Sequence, residues 1–233
     1  MFRKSAALYD IIYQASKDYS KEATELDRLL SLLDPKPMRL LDIGCGTGEH
    51  AKVLSSNFSY KVDGVDIEPG LVEIAAKKNP EGRFTIADMA DFASPAKYDA
   101  ILCLFSSLAY VETEERLRST ARCFAQCCEP GSWLLIESWY EPDEWEDSID
   151  ASESFDQQTN TKVLKARQGK REGAVSILTV DYYVERDGET LDFSETHRLG
   201  LFTKSQITSA FKDAGFEMGQ PSSGSVYMGC YLP

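Results

Sequence analysis

The spacing of apolar positions changes along the chain, and each spacing predicts an element. Between residues 22 and 33, Ala23, Leu26, Leu30 and Leu33 fall on one helical stripe. Asp34-Pro35-Lys36-Pro37 ends that helix, because the residue before a proline is pushed out of the α region. Arg39 to Ile43 reads as a strand that runs into a glycine-rich turn, and residues 49–58 read as a helix. The alternation continues with strand Lys61–Asp66, helix 71–78, strands Arg83–Ala87 and Tyr98–Leu104, and strand Ser132–Trp139. Before that last strand comes a helix over 114–128 with Leu117, Ala121, Phe124 and Cys128 on one face. Strands alternating with helices at this spacing predict a parallel sheet covered on both faces.

After residue 143 the pattern changes. Residues 143–170 are polar and poorly periodic. Over 175–186, Leu178, Val180, Tyr182 and Val184 alternate on one strand face. Asp187-Gly188 predicts a hairpin, since both central residues of a type I′ turn need positive φ, and 189–202 read as the return strand. A helix follows over 204–215, with Ile207, Ala210, Phe211 and Ala214 on its stripe and Gly215 closing it. Phe216–Glu217 and Val226–Leu232 can pair as a terminal hairpin. The expected fold is α/β: a Rossmann-like, doubly wound, seven-stranded sheet, mostly parallel, with an antiparallel terminal hairpin. One domain over 1–233 would carry an N-terminal helical lid (1–36) and an antiparallel β insertion (about 143–200), longer than ordinary connections.

Charge narrows the partner. The 233 residues carry 25 Lys and Arg against 38 Asp and Glu, a formal net charge of −13, with no long basic run. Such a field repels nucleic acid and favours a small-molecule partner. No stretch of ~20 apolar residues predicts a membrane span. Tyr9 and Asp10 interrupt the segment where a signal peptide would be apolar, so a cytoplasmic location is expected. The six cysteines contain no C-x-x-C pair, which leaves a metal site no spacing to rest on and reads as reduced thiols in a core.

The sharpest chemical signal is Leu41-Asp42-Ile43-Gly44-Cys45-Gly46-Thr47-Gly48-Glu49, at a strand end and opening a helix. Nucleotides bind at that place in open parallel sheets. A dinucleotide fold wants G-x-G-x-x-G, with pyrophosphate on the helix N-terminus. Here the spacing is G-x-G-x-G, Asp42 precedes it, and Glu49 would face an incoming pyrophosphate. A phosphate-free cofactor such as S-adenosylmethionine fits better than NAD. Asp66, followed by Ile67, ends the second strand, where a carboxylate can accept from both ribose hydroxyls. Asp88, followed by Met89, follows the third, where an acid can accept from an adenine amino group or simply cap a helix. The fourth strand ends at Leu104 and runs into Phe105–Tyr110, beside the place of the reactive methyl.

These four signals in order resemble the class I S-adenosylmethionine-dependent methyltransferases over nearly the whole chain. LYDIIYQASKDYSKEA, FSSLAYVET, IESWYEPDEW, SETHRLGLF and PSSGSVYMG further resemble the N-methyltransferases of nucleotide-linked amino sugars. The resemblance implies a cofactor site of Tyr9, Tyr19, Asp42, Gly44, Cys45, Gly46, Gly48, Asp66, Ile67, Asp88, Met89 and Leu104. Tyr9, Tyr13, Lys17 and Tyr19 would belong to a lid. Glu137, Trp139, Tyr140 and His197 would line the substrate side with Tyr13. Three departures stand out. Ser225 replaces an Arg that holds the nucleotide diphosphate, Tyr110 stands where some members carry His, and the lid lacks the family's glycine before Lys17.

Methyl transfer is an in-line displacement, so the protein mainly positions and desolvates. Tyr110, His197 and Glu137 are the candidate proton acceptors, because side chains of these types within hydrogen-bond reach can act as general bases. Trp139 and Tyr140 either touch substrate or pack under the insertion. There is no N/D-P-P-Y loop after the fourth strand and no acid–Asn cluster for a metal-dependent catechol site. The expected function is N-methylation of a small-molecule amine. O-methylation of a hydroxylated metabolite and non-catalytic S-adenosylmethionine binding remain as alternatives. The insertion's strand edge offers either a cover for the pocket or a pairing surface for a homodimer.

Overall fold

The structure is a computed structural model that describes residues 2, 4–14, 16–219 and 226–232. Two short helices, α1 (Tyr9–Gln14) and α2 (Tyr19–Leu30), precede the first strand. The frame then runs β1 (Arg39–Ile43), α3 (Glu49–Phe58), β2 (Lys61–Asp66), α4 (Pro69–Lys78), β3 (Phe84–Ile86), β4 (Tyr98–Cys103), α5 (Glu114–Gln126) and β5 (Cys128–Glu137). Four long strands follow: β6 (Ser148–Asp156), β7 (Thr161–Glu172), β8 (Val175–Arg186) and β9 (Glu189–Gly200). The chain returns through α6 (Lys204–Asp213), β10 (Phe216–Met218) and β11 (Val226–Tyr231).

The expected sheet is present, in the order β10-β11-β5-β4-β1-β2-β3. β1 to β5 pair in parallel, and β11 runs antiparallel to both β5 and β10. The order reverses at β1, with β2 on one side and β4 on the other. That puts the glycine turn after β1 at the switch point where open sheets leave a crevice. Two apolar layers cover the sheet. One gathers Ile43, Ile101, Phe124, Ile136, Phe211 and Tyr227 under α5 and α6. The other gathers Leu30, Leu40, Leu54, Leu102 and Leu135 under α2 and α3.

The helices start where the sequence supplies caps. Thr113 accepts from the Arg116 amide, and Thr203 and Gln206 form a reciprocal capping box. The helix expected over 114–128 stops at Gln126. Cys128 instead opens β5 and pairs with Tyr98, so β5 begins earlier than Ser132.

The second sheet is antiparallel, in the order β6-β7-β8-β9. Its β8–β9 turn is the expected Asp187-Gly188 type, with φ of 52° and 83°. Residues 143–170, which show no clear period, supply the two further strands β6 and β7. Their inward positions alternate as Asp150, Ser152 and Ser154, and as Val163, Lys165 and Arg167. The sheet packs over the strand ends of the frame, with Val163, Val180 and Leu199 buried against Ile12 and Ala109. Among the described residues no helix is long and apolar enough to cross a membrane.

Candidate active site

The cavity lies between the carboxyl ends of β1, β2 and β4 and the inward face of the second sheet. It encloses about 1350 Å³ of space, open mouth included. The N-terminal segment contributes Phe2, Tyr9 and Tyr13 to the wall.

The frame side is built on the glycine turn. Gly44 has φ +74°, and a Cβ there would stand 2.5 Å from the Ser107 side chain, so the turn and the loop after β4 meet only because that atom is absent. Gly48 has φ +73° and serves packing. Its Cβ would stand 2.7 Å from Asn79 Nδ2 and 3.0 Å from Ala75, where α3 seats on α4. The Gly46 amide donates to Asp66 Oδ2 at 2.9 Å, and the Glu68 amide donates to Asp66 Oδ1 at 2.9 Å. These bonds fix the carboxylate while each oxygen keeps a lone pair for a ligand. Burial raises the Asp66 pKa, and the backbone donors oppose that rise.

Asp42 is buried at 2% exposure beneath this turn, and its Oδ2 has no hydrogen-bond partner among the described residues. Burial pushes its carboxyl up to about 6. A buried acceptor without a donor is costly, and a cationic ligand with N–H groups would relieve it. Asp88 is held by Arg116 from α5, whose Nη2 reaches both oxygens at 2.9 and 2.8 Å. Burial alone would raise Asp88; the Arg116 bond, the Ala90 amide and the Arg116 charge together outweigh it and hold the carboxyl below its usual range. Acids at Asp42, Asp66 and Asp88 with a glycine turn between them fit a cationic, phosphate-free nucleoside.

The facing wall is aromatic. Tyr110 Oη lies 3.0 Å from His197 Nδ1, joining the loop after β4 to β9 across 87 residues of sequence. His197 is 4% exposed, and burial pulls its pKa down to about 4. Burial raises Tyr110 well above 10. Both shifts keep both groups neutral, a protonated Tyr110 against an uncharged imidazole; with the His197 proton on Nε2, Tyr110 donates to Nδ1. Phe2 packs 4.6 Å from the imidazole, and Trp139 lines the same wall while its Nε1 donates to Ser176 Oγ.

The structure brings Tyr9, Tyr13, Gly44, Gly46, Asp66, Ile67, Asp88, Met89, Tyr110, Trp139 and His197 to one cavity. Other expected residues stand outside its wall. Glu137 Oε2 accepts from the Phe105 amide at 2.7 Å and so holds the loop that carries Tyr110. Tyr140 is 49% exposed and packs edge-on to Trp139 and Trp145. Tyr19 packs on His50, Leu104 lies in the core beside Leu40 and Leu102, and burial raises the Cys45 thiol. Lys17 lies 3.8 Å over the Phe105 ring and pairs with Glu22. Ser225 falls outside the described residues.

Several functional candidates were not legible. Arg116 lies off the apolar stripe of its helix, and Lys165 and Arg167 lie in the aperiodic segment. Glu195 is buried and accepts from the Lys4 amide (2.7 Å), the Ser5 amide (3.2 Å) and the Ser5 hydroxyl (2.6 Å). These bonds dock the N-terminal segment on β9. At its other end Asp10 accepts from Thr47 Oγ1 at 2.6 Å and from Lys78.

A parallel sheet with a glycine turn at its switch point, acids after successive strands and an antiparallel cover define a class I methyltransferase fold. Residues 15–220 match the family described as "Methyltransferase domain", and the chain belongs to it. It is an S-adenosylmethionine-dependent methyltransferase.

Among its relatives is the dTDP-3-amino-3,6-dideoxy-alpha-D-glucopyranose N,N-dimethyltransferase of Streptomyces fradiae. That enzyme is 31% identical, over 96% of this chain and 89% of its own. The dTDP-4-amino-2,3,4,6-tetradeoxy-D-glucose N,N-dimethyltransferase of Saccharopolyspora spinosa is also 31% identical, over 96% and 91%. Of solved structures, Streptomyces venezuelae DesVI superposes with a TM-score of 0.90 at 28% identity, covering 98% of this chain and 99% of that one. The sugar N-methyltransferase KedS8 from Streptoalloteichus sp ATCC 53650 gives 0.87 at 27%, covering 97% and 93%.

Proposed function

We propose that the protein methylates the amino group of a nucleotide-linked deoxyamino sugar. The observation that carries this reading is the convergence of two unlike walls on one cavity. Acids on the frame side suit the donor, and the Tyr110–His197 pair within an aromatic wall suits an amine acceptor. The relatives' activities on dTDP-linked amino sugars support the acceptor class.

S-adenosylmethionine, when bound, supplies an electrophilic methyl group on a sulfonium leaving group. Asp66 would hold its ribose, Asp88 its adenine amino group, and Asp42 its cationic end. Tyr9, on the segment docked by Glu195 and Asp10, would cover it as part of a lid. The acceptor amine must arrive neutral, and an aromatic, water-poor wall disfavours its charged form. Tyr110 already donates to His197, so its oxygen presents lone pairs to the incoming N–H. His197 has its Nδ1 occupied and a pKa far below neutrality, so it positions Tyr110 and does not take the proton. Proximity and alignment then supply the rate, to the extent of ~7–11 kcal/mol in favourable cases. Exposed Ile149, Phe155 and Leu164 on the outer face of the second sheet support pairing of two copies there.

The test is turnover. The protein is incubated with S-adenosylmethionine and dTDP-linked 3-amino and 4-amino deoxysugars, and products are read by mass. Mono- and dimethylated sugar nucleotides are expected. Binding of S-adenosylmethionine with no transfer to any of these amines would overturn the acceptor assignment.

A further inference from the structure

The cavity contains a cation that nothing in the methyl-transfer site uses. Lys165 on β7 points from the inward face of the second sheet, in register with Tyr182 on β8, and lines the cavity. Its Nζ lies 5.2 Å over the Tyr13 ring, and no carboxylate among the described residues pairs with it. Burial lowers its pKa, the cost of keeping an ammonium half out of water.

Arg167, two residues on, is committed differently. Its Nε and Nη2 both donate to Asp150 Oδ2, at 2.8 and 2.5 Å. That pair is close to neutral, but Arg167 Nη1 has no protein acceptor among the described residues. The nearest other acid on this face, Glu195, is occupied by the Lys4 and Ser5 donors. Glu195 keeps its negative charge, because amide and hydroxyl donors do not cancel it, but its oxygens are turned to the N-terminal segment, and Lys165 faces the cavity without an ion-pair partner among the described residues.

The chain as a whole is at −13, so an anionic acceptor meets a repulsive field and needs a local cation to be held. The position suits the part of an acceptor remote from the reacting nitrogen. His197 lies in the Leu178 row of the sheet, and Arg167 in the Glu195–Val180 row, two strands across and two residues along. Strand spacing and rise put their Cα atoms roughly 12 Å apart, with Lys165 one row further. A monosaccharide followed by a phosphate linkage spans such a gap.

We propose that Lys165, with Arg167 beside it, is the anchor for the diphosphate of the acceptor's nucleotide carrier. The inference rests on the reading of the acceptor as a nucleotide-linked amino sugar. It also gives a physical counterpart to Ser225, which stands where the resembling enzymes carry an Arg. In this chain the anion would be met from β7. An ammonium makes point-charge contacts and tolerates either phosphate, whereas a guanidinium forks onto one.

The experiment is a calorimetric titration of dTDP into the protein loaded with S-adenosylhomocysteine, for wild type, Lys165→Met and Lys165→Arg, with thymidine as the phosphate-free control. Binding of S-adenosylhomocysteine confirms that each variant is folded. Lys165→Met should weaken dTDP roughly tenfold or more, the loss of one charge-assisted contact. Lys165→Arg should restore most of that loss, and thymidine should bind both variants as it binds wild type. A wild type that does not bind dTDP, or a Met variant that binds it as tightly, overturns the proposal. A parallel loss for thymidine also overturns it, since the residue would then be shaping the pocket. A wild type that holds dTDP through Lys165 yet methylates no nucleotide-linked amino sugar supports the anion anchor and refutes the functional reading on which it was built.

Discussion

His197 gives a prediction in which stability and mechanism share one proton. At 4% exposure its folded pKa is about 4, against 6.5 in the unfolded chain. Below 6.5 the unfolded chain binds a proton that the folded chain refuses, so stability is full above that pH and falls as pH drops towards 4. Integrating between pH 7.5 and 5 gives a loss of about 2 kcal/mol from this group alone. His197→Asn removes the titration and places an acceptor oxygen near the position of Nδ1, so the Tyr110 bond has a substitute. Urea unfolding of both proteins at the two pH values isolates the term, because other groups contribute to both and cancel in the difference. Asp42, with its carboxyl pushed up to about 6, shifts stability in the opposite sense, gaining as pH falls; Asp88 shifts it in the same sense as His197. Wild type should lose about 2 kcal/mol more than the variant. Equal losses would mean that His197 charges freely in the folded state, and the neutral, acceptor-only imidazole would have to be abandoned.

Tyr110→Phe should lower kcat by less than about tenfold in steady-state assays, short of the ~10²–10⁴ expected of a general base, and a loss beyond a hundredfold would restore that role. Asp66→Ala removes the acceptor for the Gly46 and Glu68 amides and should raise the dissociation constant for S-adenosylmethionine by about tenfold or more. Calorimetry reads it directly, and unchanged affinity would remove Asp66 from the site. Gly44→Ala puts a Cβ 2.5 Å from Ser107 at φ +74°. It should cost about 1–3 kcal/mol of overpacking and about 1–2 of backbone strain, seen as a lower Tm. Glu195→Ala should speed hydrogen exchange of the Lys4 and Ser5 amides by at least roughly tenfold, since hydrogen bonds to charged groups are worth ~1.5–3 kcal/mol each. Unchanged protection would show that the segment is held elsewhere.

The frame was legible because its strands are buried on both faces and its turns carry glycine. Ile43, Val65 and Ile101 read as strand residues in any context, and the turn after β1 points to a ligand once Asp66, Asp88 and the loop after the fourth strand follow it in order. The second sheet was half legible. β8 alternates because Val180 and Val184 meet a core, and Asp187-Gly188 fixes the hairpin. β6 and β7 hid because Asp150, Ser152, Lys165 and Arg167 occupy inward positions where apolar residues would have given a period of two, and of these Lys165 and Arg167 reach the cavity. The acids of the candidate donor site stand at or just beyond the ends of strands that sequence can count. The Tyr110–His197 bond and the Glu195 contacts join residues 87 and about 190 positions apart, and no local pattern encodes such distances.

The two anchors of the N-terminal segment also set an order of assembly. Its bond from Asp10 to Thr47 spans 37 residues and can form once the glycine turn exists. Its bonds from Lys4 and Ser5 to Glu195 must wait for about 150 further residues, including three long antiparallel strands. Contacts of that separation are slow to form, because chain closure is costly before they reward it. The strands of the second sheet pair through consecutive hairpins, so the cover of the cavity is built from local contacts, whereas the segment that carries Phe2 reaches β9 only across about 190 residues. That segment is expected to dock late, and the candidate cavity is then closed by the contact of longest reach.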